Sequence, residues 1–338
     1  MSAGRWIARL LLIVLLVELG LSVPGAILGI IGASLVELTI GQCCVRLSLF
    51  HHAPVPVPPL FWSYVLPLFL SALSLSFYSR LDLFALKVLG ATAMQAGLYG
   101  AAQNLSLLPG LFATSISPLL LATLSRLLHD GRESLAREIS CNAMRAVLGL
   151  IPVAAMMAGA THEIVVFFFG TIFLPAAELL GMLVFGTVAM VMISVAIAIM
   201  TAAGKPRWTL ILTGPLVPLA VIGHLVLIPR FGPLGASIVT TLLAGLGALV
   251  AVLAIYRLWH IVPPIITLGR SILVSGLAYT LAVLWPVPGS LVLLKLLVMS
   301  SVVLLAFLVL GEFSKSEIAM VHSILLWRTA PTQDPHEV

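Results

Sequence analysis

The stretch Phe77–Ala102 reads FYSRLDLFALKVLGATAMQAGLYGAA and gathers the polar chemistry of an otherwise greasy chain. Arg80, Asp82 and Lys87 are ionisable groups beside apolar sequence of membrane-spanning length. A charge at the centre of a bilayer costs about 2.5–3.5 kcal/mol on insertion scales, so such groups line a cavity, meet a partner, or snorkel to the headgroups. Arg80 and Asp82 are two residues apart and do not share a helical face. Asp82 and Lys87 are five apart, close enough only for a loose contact. Gln95, Tyr99 and Gln103 recur every fourth residue and make a polar stripe on one helical face, with Asn104 beside it. The stripe must meet water, a substrate or another helix. Glu18 and Glu37 fall within other apolar stretches, where a protonatable carboxyl is a candidate for proton coupling. Glu178 and Lys295 fall near span ends and read as interfacial.

Other signals for chemistry are weak. No GxxxxGK[ST] occurs, so ATP hydrolysis through a P-loop is not encoded. Gly204-Lys205-Pro206 is a basic turn, and Gly245 and Gly247 form a lone GxG within an apolar run. His51 and His52 lack a neighbouring Cys or carboxylate to complete a metal site. Asn104-Leu105-Ser106 matches a glycosylation sequon inside a span. The three cysteines, Cys43, Cys44 and Cys141, suggest no disulfide framework. No cofactor is expected.

These residues belong to helices in a bilayer. Hydrophobic residues make up 61% of the 338-residue chain and charged residues 9%, against about 25% charged in a soluble domain. Mean hydropathy is +1.20. The apolar runs are long and continuous rather than alternating in about ten-residue segments, which argues against a transmembrane β-barrel. Backbone amides in lipid must be paired within their own segment, so the spans are helical. A span needs about 20 residues, and ten are expected: 6–22, 25–46, 61–80, 92–125, 143–161, 177–202, 208–228, 234–256, 264–285 and 291–311.

The net charge of +5 comes from 17 Lys+Arg against 12 Asp+Glu, and its placement argues topology rather than nucleic-acid binding. With the N-terminus cytoplasmic, Arg5, Arg9, Arg46, Arg126, Arg132, Arg137, Arg145, Lys205, Arg207, Arg257, Arg270, Lys315 and Arg328 fall inside. Arg80, Lys87 and Arg230 fall outside, and Lys295 lies within the last span. That asymmetry follows the positive-inside rule and places both termini in the cytoplasm. Residues 1–25 have the outline of a signal peptide, but another apolar span follows at once.

His51–Pro59 reads HHAPVPVPP, an extended linker that cannot be helical. Arg126–Arg137 reads RLLHDGRESLAR and suggests a surface helix around Arg132, Glu133, Arg137 and Glu138. Thr161–Ala176 is the longest outer connection, with the apolar run Ile164–Phe169 along the interface. Pro67, Pro109, Pro118, Pro152, Pro215 and Pro218 lie inside spans as packing kinks or hinges. Gly25, Gly29 and Gly32 favour close helix contact.

SRLDLFALKVLG, then GLYGAAQNL, then the proline-broken ISPLLLATLSRLLHDG, resemble segments of the polysaccharide flippases of the multidrug/oligosaccharidyl-lipid/polysaccharide exporter superfamily, as does LIPRFGPLGASIVT (Leu227–Thr240). The order and spacing of these segments carry the resemblance, over about residues 60–256. It implies an all-α, MATE-like polytopic bundle of about ten helices. Residues 1–50 would be a remnant of the first lobe, 51–60 a Pro-rich cytoplasmic linker, and 61–256 a complete second six-helix lobe. Residues 257–311 would be two additional helices and 312–338 a cytoplasmic tail. The family is usually built from 14 helices, so the first four would be missing. The implied activity is translocation, not catalysis, of a polyprenyl-pyrophosphate-linked oligosaccharide across the inner membrane, with polysaccharide-assembly membrane proteins and membrane lipids as partners. Arg80 and Lys87 would attract phosphate, Asp82 would balance or orient them, and Gln95, Tyr99, Gln103 and Asn104 would hydrogen-bond sugar hydroxyls. The alternatives left open are a drug or small-solute exporter of the same fold, an inactive truncated remnant, and a membrane glycosyltransferase or polymerase. The last is disfavoured because the longest outer connection offers only Glu163 as an acid.

Overall fold

The computed structural model describes residues 11–16, 18, 22–45, 59–261 and 265–312. Every regular element among them is helical. The chain divides into two compact units, Met1–Pro58 and Pro59–Val338.

The first unit contributes helix α1 (Ser22–Val45) and a short helical stretch at 11–16. A side chain at Gly29 would meet Ile13, and one at Gly32 would meet Leu12, so these glycines permit the close helix contact that their spacing suggests. Glu18 is exposed. The side chains of Glu37, Cys43 and Cys44, the His51–His52 pair, most of the proline-rich linker, and Arg5, Arg9, Arg46, Lys315 and Arg328 lie outside the described residues.

The second unit contains α2 (Pro59–Val88), α3 (Ala93–Ser106), α4 (Gly110–His129), α5 (Glu133–Leu148), α6 (Ile151–Gly159) and α7 (Thr161–Phe169). It continues with α8 (Ala176–Ala202), α9 (Pro206–Thr213), α10 (Leu216–Phe231), α11 (Pro233–Trp259), α12 (Ile265–Leu284) and α13 (Leu291–Val309). Eight stretches among the described residues are long and apolar enough to cross a membrane: 61–88, 110–129, 133–159, 176–202, 206–231, 233–259, 265–284 and 291–309. The chain is thus a multi-pass membrane bundle.

Helix α8 is the hub, packing against α3, α4, α6 and α11. Its composition explains the position: apolar residues surround it on every side, and most of its side chains are buried. Small residues set the closest approaches. A side chain at Gly186 would collide with Thr241 on α11, and one at Gly159 with Ala282 and the Tyr279 carbonyl on α12.

Several spans differ from their sequence outlines. Helix α2 does not stop at residue 80 but runs to Val88, carrying Arg80, Asp82 and Lys87 on one continuous helix. The expected span 92–125 is broken: α3 ends at Ser106, and α4 begins after Pro109. Leu150-Ile151-Pro152 and Gly214-Pro215-Leu216 mark similar breaks. Proline tolerates the first turn of a helix because its missing N–H needs no partner there, so Pro109, Pro152 and Pro215 begin segments rather than bend them. Pro67 and Pro118 do lie inside helices. The polar segment around Arg137 is the first part of α5, continuous through α6 as a single span-length stretch, with Arg137 and Glu133 3.6 Å apart on its surface. The run 164–169 is helical; Ile164 and Val165 are buried in the core, while Phe168 and Phe169 are exposed.

Candidate functional site

The break between α2 and α3 turns the chain back so that α3 lies against α2. The turn is fixed at Thr92: its hydroxyl accepts from the Gln95 N–H at 3.2 Å, and the Gln95 side-chain oxygen accepts from the Thr92 N–H at 3.0 Å. This reciprocal capping box satisfies two helix-end donors. Gln95, the first member of the polar stripe, is therefore occupied by its own helix terminus.

The other two members reach across to α2. The Tyr99 hydroxyl donates to Asp82 Oδ2 at 2.7 Å, and Gln103 Nε2 donates to the same oxygen at 2.9 Å. Asp82 is 1% exposed and Tyr99 is fully buried. A buried carboxylate demands charge-assisted donors, and here two side chains of a neighbouring helix supply them. Helix α11 closes the third side. The Tyr78 hydroxyl donates to the Thr240 carbonyl at 2.7 Å, and Thr240 Oγ1 lies 3.5 Å from the Tyr99 hydroxyl. Thus the Arg-x-Asp segment, the Gly-x-Tyr-x-Ala-Ala helix and the end of Leu227–Thr240, far apart in sequence, meet at one point. The last is delivered by a tight turn: Gly232 takes a φ of +57°, and any side chain at Gly235 would run into the Leu227 carbonyl.

Beside this network lies a hollow of about 310 Å³ between α2, α3, α8 and α11. Arg80, Asp82, Gln103 and Asn104 line it, with Ser79, Thr187 and Thr240. Arg80 is exposed within it and has no ion-pair partner among the described residues. Although Arg80 and Asp82 do not share a helical face, the hollow is wide enough to take both. Lys87 is exposed and does not line the hollow. The hollow offers a guanidinium with no ion-pair partner among the described residues, amides and hydroxyls, beside Leu107, Leu183, Gly186 and Met190. That combination suits a polar ligand bearing negative charge.

Two further charged clusters escape sequence reading. Lys295, near the start of α13, has a fully buried side chain that donates to Glu163 Oε1 at 2.6 Å and to the Ala282 carbonyl at 2.7 Å. Glu312 accepts from Arg145 Nε at 2.7 Å, from an Arg270 guanidinium nitrogen at 2.9 Å, and from the Thr267 hydroxyl at 2.5 Å. Burial alone would push the Glu312 carboxyl up, but Thr267, Arg270 and Arg145 together hold it below the usual glutamate range. The ionic partners in both clusters are more than 40 residues apart, which no local spacing reveals.

Span-length helices packed around a polar hollow define a class, the all-helical polytopic membrane bundles. Among solved structures, the chain is similar in fold to the lipid II flippase MurJ in its inward closed conformation. The TM-score is 0.68 at 15% identity, over 90% of this chain. The chain spans 65% of the length of that structure. No protein-family profile and no curated protein sequence matches the chain.

Proposed function

We propose that this protein is a flippase, and that it translocates a polyprenyl-pyrophosphate-linked oligosaccharide from the cytoplasmic to the outer leaflet of the inner membrane for surface polysaccharide synthesis. Both termini would face the cytoplasm, and polysaccharide-assembly membrane proteins would be its partners. The observation that carries this reading is Arg80, without an ion-pair partner among the described residues, in a polar hollow, within a fold similar to that of the lipid II flippase MurJ. Moving such a headgroup across lipid requires a wet, charge-matched path while the chain stays in hydrocarbon. Arg80 would hold the phosphate oxygens, where guanidinium geometry favours bidentate contact. Gln103 and Asn104 would hydrogen-bond sugar hydroxyls. Asp82, tied down by Tyr99 and Gln103, would set the Gln103 amide in place. The breaks at Pro109, Pro152 and Pro215 give the lobe the interrupted helices on which alternating access is commonly built.

The test is reconstitution in vesicles with a fluorescent polyprenyl-pyrophosphate oligosaccharide, read by accessibility of the sugar to an externally added enzyme. Time-dependent exposure of the inner pool supports the reading. A flat trace, with a deletion strain that keeps its surface polysaccharide but changes drug sensitivity, would favour the small-solute exporter instead.

A further inference from the structure

The turn between α8 and α9 builds a second polar site, separate from the hollow. Gly204 takes a φ of +70°, its N–H donates to the Thr201 carbonyl at 3.0 Å, and the Lys205 N–H donates to the Met200 carbonyl at 3.0 Å. This is a glycine-terminated helix end, and Pro206 at once starts the next helix. The backbone is therefore fixed, with Lys205 and Arg207 projecting from it, both exposed. The start of α2 closes the other wall, because the Tyr64 hydroxyl donates to the Thr201 carbonyl at 2.9 Å. Together Ser63, Tyr64, Lys205, Arg207 and Trp208 line a cavity of about 480 Å³.

Three facts identify what fits there. First, depth: α8 and α11 have 27 residues each, so each is about 40 Å long. That matches a bilayer with its headgroups, about 40–45 Å, rather than the hydrocarbon core of about 30 Å. The turn that follows Ala202 therefore lies at headgroup depth. Second, charge: no carboxylate lines the cavity, and neither Lys205 nor Arg207 has an ion-pair partner among the described residues. On the far side of the same turn, Arg137 is already engaged by Glu133. Third, the walls: Tyr64 and Trp208 are the amphipathic aromatics that settle at the lipid–water boundary.

We propose that the Gly204–Trp208 turn, with Ser63 and Tyr64, binds the phosphate headgroup of an anionic membrane phospholipid. Lys205 and Arg207 hold the phosphate, and the aromatic rings take the glycerol and upper acyl region. The inference does not depend on transport, and the site would anchor this end of the bundle in an anionic leaflet.

Native mass spectrometry of the full chain in detergent tests it, with phosphatidylglycerol, phosphatidylcholine and inorganic phosphate as probes. Phosphatidylglycerol should be retained in preference to phosphatidylcholine, and the double variant Lys205→Gln/Arg207→Gln should bind it about thirtyfold more weakly. Arg137→Gln should bind as the parent does, and Lys205→Arg should retain the lipid. Should the double variant fail to fold, each single variant should still weaken binding about fivefold. Equal retention of the two lipids, undiminished binding by variants that melt normally, or capture of inorganic phosphate without phosphatidylglycerol would each overturn the assignment.

Discussion

The Asp82 hollow and the Lys295–Glu163 pair are two ways of keeping charge inside a membrane bundle, and they differ in what is left over. At Lys295 the charge is paired: the ammonium meets a carboxylate and a carbonyl within 2.7 Å, and the side chain sees no solvent. At Asp82 the carboxylate is likewise satisfied, by Tyr99 and Gln103, but Arg80 beside it lines the hollow without an ion-pair partner among the described residues. A saturated pair fastens helices together. A saturated anion beside an unsatisfied cation leaves a site that still has affinity to give. The first arrangement locks α13 to α7 and α12; the second leaves the α2–α3–α8–α11 junction able to take a ligand.

The comparison is easiest to break at the locked end. Glu163→Ala strands a buried ammonium, and a loss of about 3–5 kcal/mol is expected, read as a large fall in melting temperature in detergent. Replacing both partners by apolar residues, Glu163→Leu with Lys295→Met, should recover most of it. If Glu163→Ala alone melts like the parent, the pair is not the fastening described. Asp82→Asn should cost less, about 1.5–3 kcal/mol, because Tyr99 and Gln103 lose a charged acceptor but keep a neutral one. That variant should also slow flipping, since the neutral acceptor holds Gln103 less firmly.

A third expectation concerns pH. The folded-state pKa of Glu312 lies below that of the unfolded chain, about 4.3. Its contribution to stability is therefore complete above that value and fades as the pH falls through the folded value. A melting series from pH 7 down to pH 3 should show Glu312→Gln losing less stability on acidification than the parent; parallel curves would remove Glu312 from the account. Thr92→Ala should cost about 1 kcal/mol through the lost cap of α3, with flipping intact. Lys87→Ala should change neither melting nor flipping, because the side chain stands outside the hollow.

What the sequence disclosed follows from the range of each interaction. Helical class and most spans were legible because lipid demands long apolar runs. The Arg80–Asn104 stretch drew notice because charge and amides are rare in such runs, and four of its seven singled-out residues line the hollow. Lys87 was grouped with Arg80 by proximity along the chain. A helix places residues seven apart about 10 Å apart along its axis, enough to leave Lys87 outside. Gln95 was read as part of a stripe, yet Thr92-Ala-Met-Gln95 carries the capping-box spacing that explains it. The break at Leu107–Pro109 was masked by unbroken hydropathy, since composition alone does not tell a kinked span from two helices. Lys295 and Glu163 are 132 residues apart, and nothing along the chain connects them.

Arg80 is the cation that the hollow offers to an anionic headgroup in the proposed mechanism. Its most direct test is the flipping rate of Arg80→Ala in vesicles, measured beside its melting temperature and beside Lys87→Ala. The account expects Arg80→Ala to melt within a degree or two of the parent while flipping falls at least tenfold, with Lys87→Ala unaffected. Full flipping by a well-folded Arg80→Ala protein would contradict it.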